Sequence, residues 1–314
     1  MRPRSEVGIH RLTACLVAIQ FVLLAGTLPI YSLLGLTLVG RSALSLLVTI
    51  AALLTAWGYF VLTKTTAFER RLAEVLLIFA LLLSFTAIAI PGQYAAAALA
   101  RPTIDPLLAR ADQMLGVHVP SLAAWTREHA RLNGVLIWAY FTLLRQLALA
   151  APVLAVMRDR RALWEFVFHF HVCATITLVA FALFPAACAF NYYGFESTIP
   201  QAGFIADFAG ARSGSVRVLE FGRMEGLVSM PSFHVAGALM VTWAFRRHVW
   251  VLVPLVVING LLVAATFMTG AHYVIDVLGT LAMFAGSLAL WRAVGHALLE
   301  PAAAAAPEPV PDQD

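Results

Sequence analysis

Residues 249–269 read VWVLVPLVVINGLLVAATFMT, a run without Asp, Glu, Lys or Arg. A run of this length and composition can cross the hydrocarbon core of a bilayer as an α-helix. The chain repeats such runs: its mean hydropathy is +0.85, and 61% of its residues are hydrophobic while 12% are charged. This composition excludes a water-soluble globular protein. Because backbone polar groups must be paired inside lipid, the sequence predicts an all-α, polytopic membrane helix bundle.

Windows of about 20 apolar residues predict eight transmembrane helices. They cover about 12–34, 42–63, 72–98, 135–157, 164–188, 231–246, 249–269 and 272–294. The first run is too long for a secretory signal and lacks a small-residue cleavage site after it, so we expect it to be retained. The other segments are loops at 99–134 and 189–230 and a tail at 299–314, whose Ala, Pro and acidic composition predicts disorder.

The positive charges are unevenly distributed over the connections between the predicted helices. More than half of the 21 Lys and Arg residues lie in short segments on one side of the membrane: Arg2, Arg4, Arg11, Lys64, Arg70, Arg71, Arg158, Arg160, Arg161, Arg246, Arg247 and Arg292. Short cytoplasmic segments retain such residues. We therefore expect a cell-membrane protein with both termini in the cytoplasm and both long loops outside. The net charge of +4 lies in small clusters and does not predict nucleic-acid binding.

The loop at 99–134 contains a stretch with helical periodicity. Its apolar residues recur at spacings of three and four and are Ile104, Leu107, Leu108, Ala111 and Leu115, with Asp105, Arg110 and Asp112 elsewhere on the helical wheel. The pattern predicts an amphipathic helix lying at the membrane interface. A second one is predicted around Leu122, Trp125 and Leu132. These helices could form a packing lid over the bundle or contact a substrate directly.

Polar residues gather at the starts of two predicted spans. Residues 230–236, MPSFHVA, open span six, and residues 269–276, TGAHYVID, open span eight. By the predicted topology both starts lie on the outer side, separated by one antiparallel helix. The histidines of the two segments, His234 and His272, can therefore face one pocket.

Simple chemistry gives these residues separate roles. His272 and Asp276 are four residues apart and are expected to share a helix face. An aspartate can hold one imidazole nitrogen as N–H while the other acts as a nucleophile. His234 is then available for proton transfer. The Ser232 hydroxyl and the N–H groups at the two helix starts are donors suited to an anion such as phosphate.

At these residues the sequence resembles the type 2 phosphatidic acid phosphatase superfamily. The second motif of that family is Pro-Ser-x-His, as in Pro231-Ser232-Phe233-His234, and the third ends in His-x-x-x-Asp, as in His272 to Asp276. The match looks closest to the branch with inositol phosphorylceramide synthase and many bacterial lipid phosphatases. The resemblance covers about residues 70–295. It implies a six-helix phosphatase-like core at 70–298, preceded by two additional transmembrane helices at 1–69.

The resemblance also implies a mechanism without metal or other cofactor. His272 would attack phosphorus to form a phosphohistidine, Asp276 would orient it, and His234 would protonate the leaving oxygen. The motif residues Ser232, Phe233 and Gly270 would lie against the substrate.

The sequence departs from the family pattern in its cations. The first motif, Lys-x6-Arg-Pro, is absent from the end of span five, and the Ser-Arg of the third motif is Ala265-Thr266. A phosphate dianion then needs other partners. The candidates are Arg212 and Arg223 in the outer loop, and Arg145 in span four, which we expect to be buried and to need a partner.

Three functions remain open at this point. The first is a lipid phosphatase acting on a lipid phosphate or pyrophosphate, the second a lipid phosphotransferase with an alcohol acceptor such as inositol. The third is a non-enzymatic transporter or scaffold. A lone membrane histidine is more often a packed core residue, but both motifs in this order favour an enzyme that meets a lipid phosphate in the bilayer.

Two groups of residues resemble metal sites. His234, His272 and Asp276 resemble a two-histidine, one-carboxylate metal set, although the Pro-Ser-Phe-His segment favours a metal-free site. His169, His171 and Cys173 are spaced two apart, so they point about 200° apart on a helix and do not converge on one ion.

Overall fold

The computed structural model of the chain describes residues 4–63, 66–199 and 202–299. Arg2, Lys64 and residues 300–314 of the predicted tail lie outside the described residues. The described part forms helices and one pair of two-residue strands, which confirms the predicted all-α bundle. The elements are α1 (Arg4–Leu34), β1 (Thr37–Leu38), α2 (Gly40–Thr63), α3 (Ala67–Ala98), α4 (Asp105–Met114), α5 (Val119–Glu128), α6 (Ala130–Tyr140), α7 (Leu143–Val156), α8 (Arg160–Leu183), α9 (Ala189–Tyr193), α10 (Ala202–Ser213), β2 (Val218–Leu219), α11 (Phe233–Ala244), α12 (Val249–Met268) and α13 (Val274–Leu299).

The eight predicted spans are all helical, but they are not equally long. Among the described residues, six helices are long and apolar enough to cross a membrane, namely α1, α2, α3, α8, α12 and α13. Helices α6 and α7 are long and apolar enough only when taken together, and they are joined by a bend of 42°. The predicted span at 231–246 is the 12-residue α11. At 1.5 Å per residue it is about 18 Å long, shorter than the ~30 Å hydrocarbon core.

Helix α8 lies at the centre of the bundle and α2 at its periphery. Of the apolar window of α8, 67% is buried inside the protein, against 0% for α2. The main core cluster combines residues of α1, α3, α7, α8, α11 and α13, including Leu12, Phe85, Trp164 and Phe284. Helix α8 ends at Leu183, earlier than predicted, because the residue before Pro185 is disfavoured in the helical conformation. The chain after it turns towards α4.

Polar contacts show which connections share an end of the bundle. One end of the bundle has three such contacts: Arg160 to Glu74 at 2.5 Å, Arg246 to Glu165 at 2.8 Å and His248 to Asp159 at 3.2 Å. These contacts show that the connections α2–α3, α7–α8 and α11–α12 lie together at this end. At the other end β1 pairs in parallel with β2, which joins the α1–α2 connection to the long loop before α11. The cation-rich connections therefore lie opposite the two long loops.

Helix α4 exists as predicted, but its apolar residues do not form one face. Leu108 is buried together with Asp105 and Asp112, whereas Leu107 and Leu115 are exposed. The inward residues 105, 108 and 112 recur at helical spacing, so the carboxylates face the protein. The physical reason is that both find backbone N–H partners there.

Candidate active site

The second motif enters the site through the start of α11. Ser232 is the N-cap residue of this helix and is fully buried. Its N–H donates to Thr280 Oγ1 of α13 at 2.9 Å, so the two helices are tied together at this point. Its hydroxyl lies 3.2 Å from Nε2 of His272 and accepts from the N–H of Val235 at 3.4 Å. The N-cap hydroxyl of one motif therefore contacts the histidine of the other.

His272 is held in one orientation by two acceptors. Its Nδ1 lies 3.0 Å from the carbonyl oxygen of Ser229 and 3.4 Å from Oδ2 of Asp276. A carbonyl oxygen only accepts hydrogen bonds, so Nδ1 carries the proton. Nε2 is then the unprotonated nitrogen, and its lone pair accepts from the Ser232 hydroxyl. With the side chain nearly fully buried, this is the tautomer that a nucleophilic imidazole needs.

Asp276 orients His272 and also closes the start of its own helix. Its Oδ2 accepts from the Ser229 hydroxyl at 3.0 Å and from the N–H of Tyr273 at 3.0 Å. Oδ1 is buried and has no hydrogen-bond partner within the described residues. The predicted pairing is present, but His272 lies in a bend two residues before α13. The two side chains meet across a capping contact, not along a helix face.

His234 lies beside His272 and is stacked on a tyrosine. The ring centroids of the two histidines are 6.4 Å apart. Tyr140, at the end of α6, stacks on His234 with a centroid distance of 4.1 Å, and its hydroxyl lies 3.2 Å from Nδ1 of His234. His234 itself is half-buried. The arrangement places a second imidazole next to the first, with one nitrogen already engaged by Tyr140.

The N-terminus of α13 is occupied by a carboxylate of the protein. Asp112 of α4 accepts from the N–H groups of Val274 at 3.0 Å and of Ile275 at 2.8 Å. Burial raises the pKa of Asp112 above its ordinary value, and these two hydrogen bonds offset part of the rise. Since the N–H of Tyr273 also has an acceptor, the expected anion site at this helix start is filled.

The start of α11 differs from that of α13 in the N–H groups that it leaves without an acceptor. Ser232 caps the N–H of Val235, and the N–H groups of Phe233 and His234 have no acceptor within the helix because they belong to its first turn. These two amides are the donors that the second motif leaves for an anion.

A second carboxylate of α4 supports the third motif from the side. Asp105 is fully buried and accepts from the N–H of Ala187 and from the hydroxyl of Tyr273, each at 3.0 Å. Together with Asp112 it ties α4 to the residues that follow His272. Helix α4 is therefore a structural part of the site and not only a cover over it.

The three candidate arginines differ in their surroundings. Arg223 is exposed and forms an ion pair with Glu220 at 3.2 Å. Arg145 is exposed, so its predicted burial is wrong. The reason is geometric: Leu143 packs against Gly237 of α11, and a residue two positions later points about 200° away.

Arg212 lies near the end of α10 in a partly buried environment. Its Nη1 is buried without a hydrogen-bond partner in the described part of the chain, and its guanidinium lies 5.4 Å from the ring centroid of Phe208. Phe208 belongs to the same apolar cluster as Phe190. The N–H of Phe190 donates to the carbonyl of Gly270 at 3.0 Å, so α10 borders the third motif.

Two motif residues serve the backbone and the packing. Gly270 has φ +88°, and a Cβ there would collide with the ring of Phe195, so both the conformation and the space require glycine. Phe233 packs edge-on against Phe170 of α8 at 5.6 Å, towards the core. Neither contact involves a substrate, so their predicted place against the substrate stays a prediction.

The other histidines of the membrane core have separate partners. His169 Nδ1 contacts Ser287 Oγ at 2.7 Å, and His171 Nδ1 donates to the Val167 carbonyl at 2.8 Å. Across the described residues, no three His, Cys, Asp or Glu side chains are grouped so that they could hold a metal ion.

Several residues of the site were missed from the sequence. They are Tyr140, Ser229, Asp105, Asp112, Tyr273 and Thr280. Ser229 stands next to the second motif, but a single serine has no pattern. The carboxylates were visible as acids on a helix with apolar neighbours, and a buried acid in such a place signals a hydrogen-bonding partner.

The fold and the gathering of polar residues define a membrane-embedded helical protein, since several of its helices are long and apolar enough to span a bilayer. The family model of the PAP2 superfamily matches residues 106–290, more than half of the chain, and the chain belongs to this superfamily. The resemblance drawn from the two motifs is confirmed at this level, and the branch stays a prediction. No curated protein and no solved structure matches the chain.

Membership supports a phosphatase-type enzyme acting on phosphate esters, because members of the superfamily are phosphatases or phosphotransferases. The match begins within α4 and does not include α1, α2 or α3. The predicted boundary near residue 70 therefore stays a prediction.

Proposed function

We propose that the protein is an integral membrane lipid phosphatase, which removes phosphate from a lipid phosphate or pyrophosphate through a phosphohistidine on His272. The observation that carries the proposal is the set of contacts that hold His272. The Ser229 carbonyl and Asp276 lie against Nδ1, so the proton is placed there and Nε2 is left unprotonated beside a second histidine. A lipid substrate is favoured because an enzyme embedded in the bilayer meets its substrate there.

The reaction proceeds in two steps. In the first, the lone pair of His272 Nε2 forms a bond to phosphorus and the bond from phosphorus to the lipid oxygen breaks. That oxygen keeps the electron pair and takes a proton from the His234 imidazolium. In the second, water attacks phosphorus and gives its proton to His234, and the electron pair of the N–P bond returns to His272. Phosphate leaves and both histidines regain their starting states.

Arg212 and the α11 amides are the proposed partners of the phosphate charge. Nη1 of Arg212 is buried and has no hydrogen-bond partner among the described residues, and a buried N–H of a cation without an acceptor favours an anionic partner. The N–H groups of Phe233 and His234 lie at the positive end of α11. The N-terminus of α13 has no such role, because Asp112 occupies it.

The orientation of the protein is part of the proposal. We place the site on the outer face of the cell membrane and both termini in the cytoplasm. Support comes from the cation-rich connections, which lie at the end of the bundle opposite the long loops, where the positive-inside rule places the cytoplasm.

The decisive experiment uses purified protein with a panel of lipid phosphates and pyrophosphates, each with and without inositol as acceptor. Phosphate release indicates hydrolysis, and a new phosphorylated lipid or alcohol product indicates the transferase alternative. Turnover of none of the substrates would favour the transporter or scaffold alternative.

Variants of the two histidines test the mechanism. We expect His272→Ala to abolish turnover and His234→Ala to lower it roughly 100- to 10,000-fold, with His118→Ala, at an exposed histidine, as the matched control. Acid-labile phosphate bound to the wild-type protein and missing from His272→Ala would identify the intermediate. Full activity of His272→Ala would refute the assignment of the nucleophile.

A further inference from the structure

The bent span α6–α7 breaks beside the two motifs. Helix α6 ends at Tyr140, α7 begins at Leu143, and the two helices differ in direction by 42°. The break is held by the Thr142 hydroxyl, which donates to the Ala139 carbonyl at 2.6 Å and accepts from Gln146 Nε2 at 2.8 Å. Irregular backbone at membrane depth is tolerated where protein buries it or where it lines a cavity.

The first turn of α11 rests against this break. Tyr140 contacts His234, and Leu143 packs against Gly237 one turn later. Tyr140 is 6% exposed and belongs to a cluster with Ile199 and Ala271, the residue before His272. The tyrosine is thus fixed from the side of the third motif while it contacts the histidine of the second.

Tyr140 contacts His234 in two independent ways. The rings are nearly parallel, with 18° between their planes and 4.1 Å between their centroids, and this contact fixes the plane of the imidazole. The tyrosine oxygen lies 3.2 Å from Nδ1 of His234, so Nε2 is the ring nitrogen that is left for other partners. A phenol oxygen can accept the Nδ1–H of a neutral imidazole and of an imidazolium alike.

We propose that Tyr140 is the positioning residue of His234, accepting its Nδ1–H so that Nε2 is the nitrogen that exchanges protons in both steps of the reaction. The inference rests on the proposed phosphoryl transfer through His272. In the first step the Nε2 proton goes to the leaving oxygen, and in the second Nε2 takes a proton from water. The Nδ1 proton stays on the Tyr140 bond throughout, so neither step needs the ring to flip.

The variant Tyr140→Phe separates the hydrogen bond from the stacking. It keeps the ring and removes the oxygen, so the imidazolium loses its acceptor. We expect a kcat roughly tenfold or more below wild type, with a smaller change in KM. The alkaline limb of the pH profile should move to lower pH by about one unit, because the charged histidine is less stabilised. Tyr140→Leu, which also removes the stacking, should be slower than Tyr140→Phe.

A comparison of two substrates with different leaving groups tests the role of Tyr140. If that role were purely structural, the defect would be the same with both substrates. With octyl phosphate the leaving alkoxide depends on protonation, whereas the nitrophenolate of p-nitrophenyl phosphate leaves readily without it. The defect of Tyr140→Phe in kcat/KM, which reports the first step only, should therefore be larger with octyl phosphate. Tyr192→Phe, at an exposed tyrosine of α9, is the matched control and should equal wild type with both.

The outcomes are distinguishable. Wild-type protein that hydrolyses neither probe and none of the lipid phosphates contradicts the proposed function. Active wild type with an equally active Tyr140→Phe, or an equal defect in kcat/KM with both probes, overturns the role of Tyr140 alone. If the variants fold poorly, nitrogen NMR of histidine-labelled wild type decides: His234 protonated at Nδ1 supports the inference, and a neutral ring protonated at Nε2 refutes it.

Discussion

Replacing Asp112 should weaken both the fold and the site, because its carboxylate caps the helix that follows His272. The side chain is 1% exposed and accepts from the N–H groups of Val274 and Ile275 at 3.0 and 2.8 Å. Neither N–H has an acceptor inside α13, since both belong to its first turn. Asp112→Ala leaves two partly buried donors without their acceptor.

The magnitude follows from these two contacts. An unsatisfied buried donor costs about 1–3 kcal/mol, so Asp112→Ala should cost about 2–6 kcal/mol, including the lost attraction between the carboxylate and the helix dipole. Asp112→Asn keeps one acceptor oxygen and should cost about half as much. The loss falls on the start of α13, where Asp276 orients His272, so kcat should decrease along with stability.

The assay compares the thermal midpoint and kcat/KM of the same detergent-purified preparations. Arg110→Ala, on the exposed face of the same helix, is the control and should leave both unchanged. The expected order of thermal midpoints is wild type, then Asp112→Asn, then Asp112→Ala. An alanine variant with the wild-type midpoint and turnover would show that water or a backbone shift satisfies these N–H groups, and the capping role would be refuted.

Three further predictions address the chemistry, the topology and the phosphate contacts. Chelators should leave activity unchanged while vanadate inhibits, because vanadate mimics the trigonal-bipyramidal transition state; activity lost to chelator and restored by a divalent ion would indicate a metal site. A thiol reagent added outside intact cells should label Ser215→Cys but not Ala67→Cys, with the wild-type chain as background, and the opposite pattern would invert the topology. Arg212→Lys should lower kcat/KM about tenfold or more, since Lys lacks the planar fork and a charge-assisted bond contributes roughly 1.5–3 kcal/mol. Arg223→Lys and Arg145→Lys should match wild type, and the reverse result would place the phosphate contact elsewhere.

Because the start of α13 is occupied by carboxylates of the protein, the start of α11 is the place where a phosphate can bind to helix N–H groups. Both motifs open a helix, and a helix start is a general anion site. The two differ, because Asp112 and Asp276 accept the first N–H groups of α13, whereas the N–H groups of Phe233 and His234 in the first turn of α11 have no acceptor inside their helix. A second negative group beside Asp112 would be repelled. The substrate is therefore expected against α11, on the side of His234.

The sequence by itself determined the helical class of the protein and the pair of motifs. A run such as 249–269 has one stable state in lipid, because its backbone must pair internally, and no tertiary partner is needed to predict it. His234 and His272 were identified because ionisable residues at the start of a membrane span are costly and usually functional, and because the motifs around them resemble those of a known family. The lengths of the apolar runs were less informative, as the short α11 shows.

Only the tertiary structure decided what surrounds the two histidines. Tyr140 is 94 residues from His234, and Asp112 is more than 160 residues from the amides it caps. Such contacts leave no periodic signal in the chain. The face of a helix is equally hidden, because lipid and protein interior are both apolar and hydropathy does not distinguish them. For that reason Arg145 was expected inside and is exposed, while the carboxylates of α4 face inward, where buried N–H groups outweigh the cost of removing a charge from water.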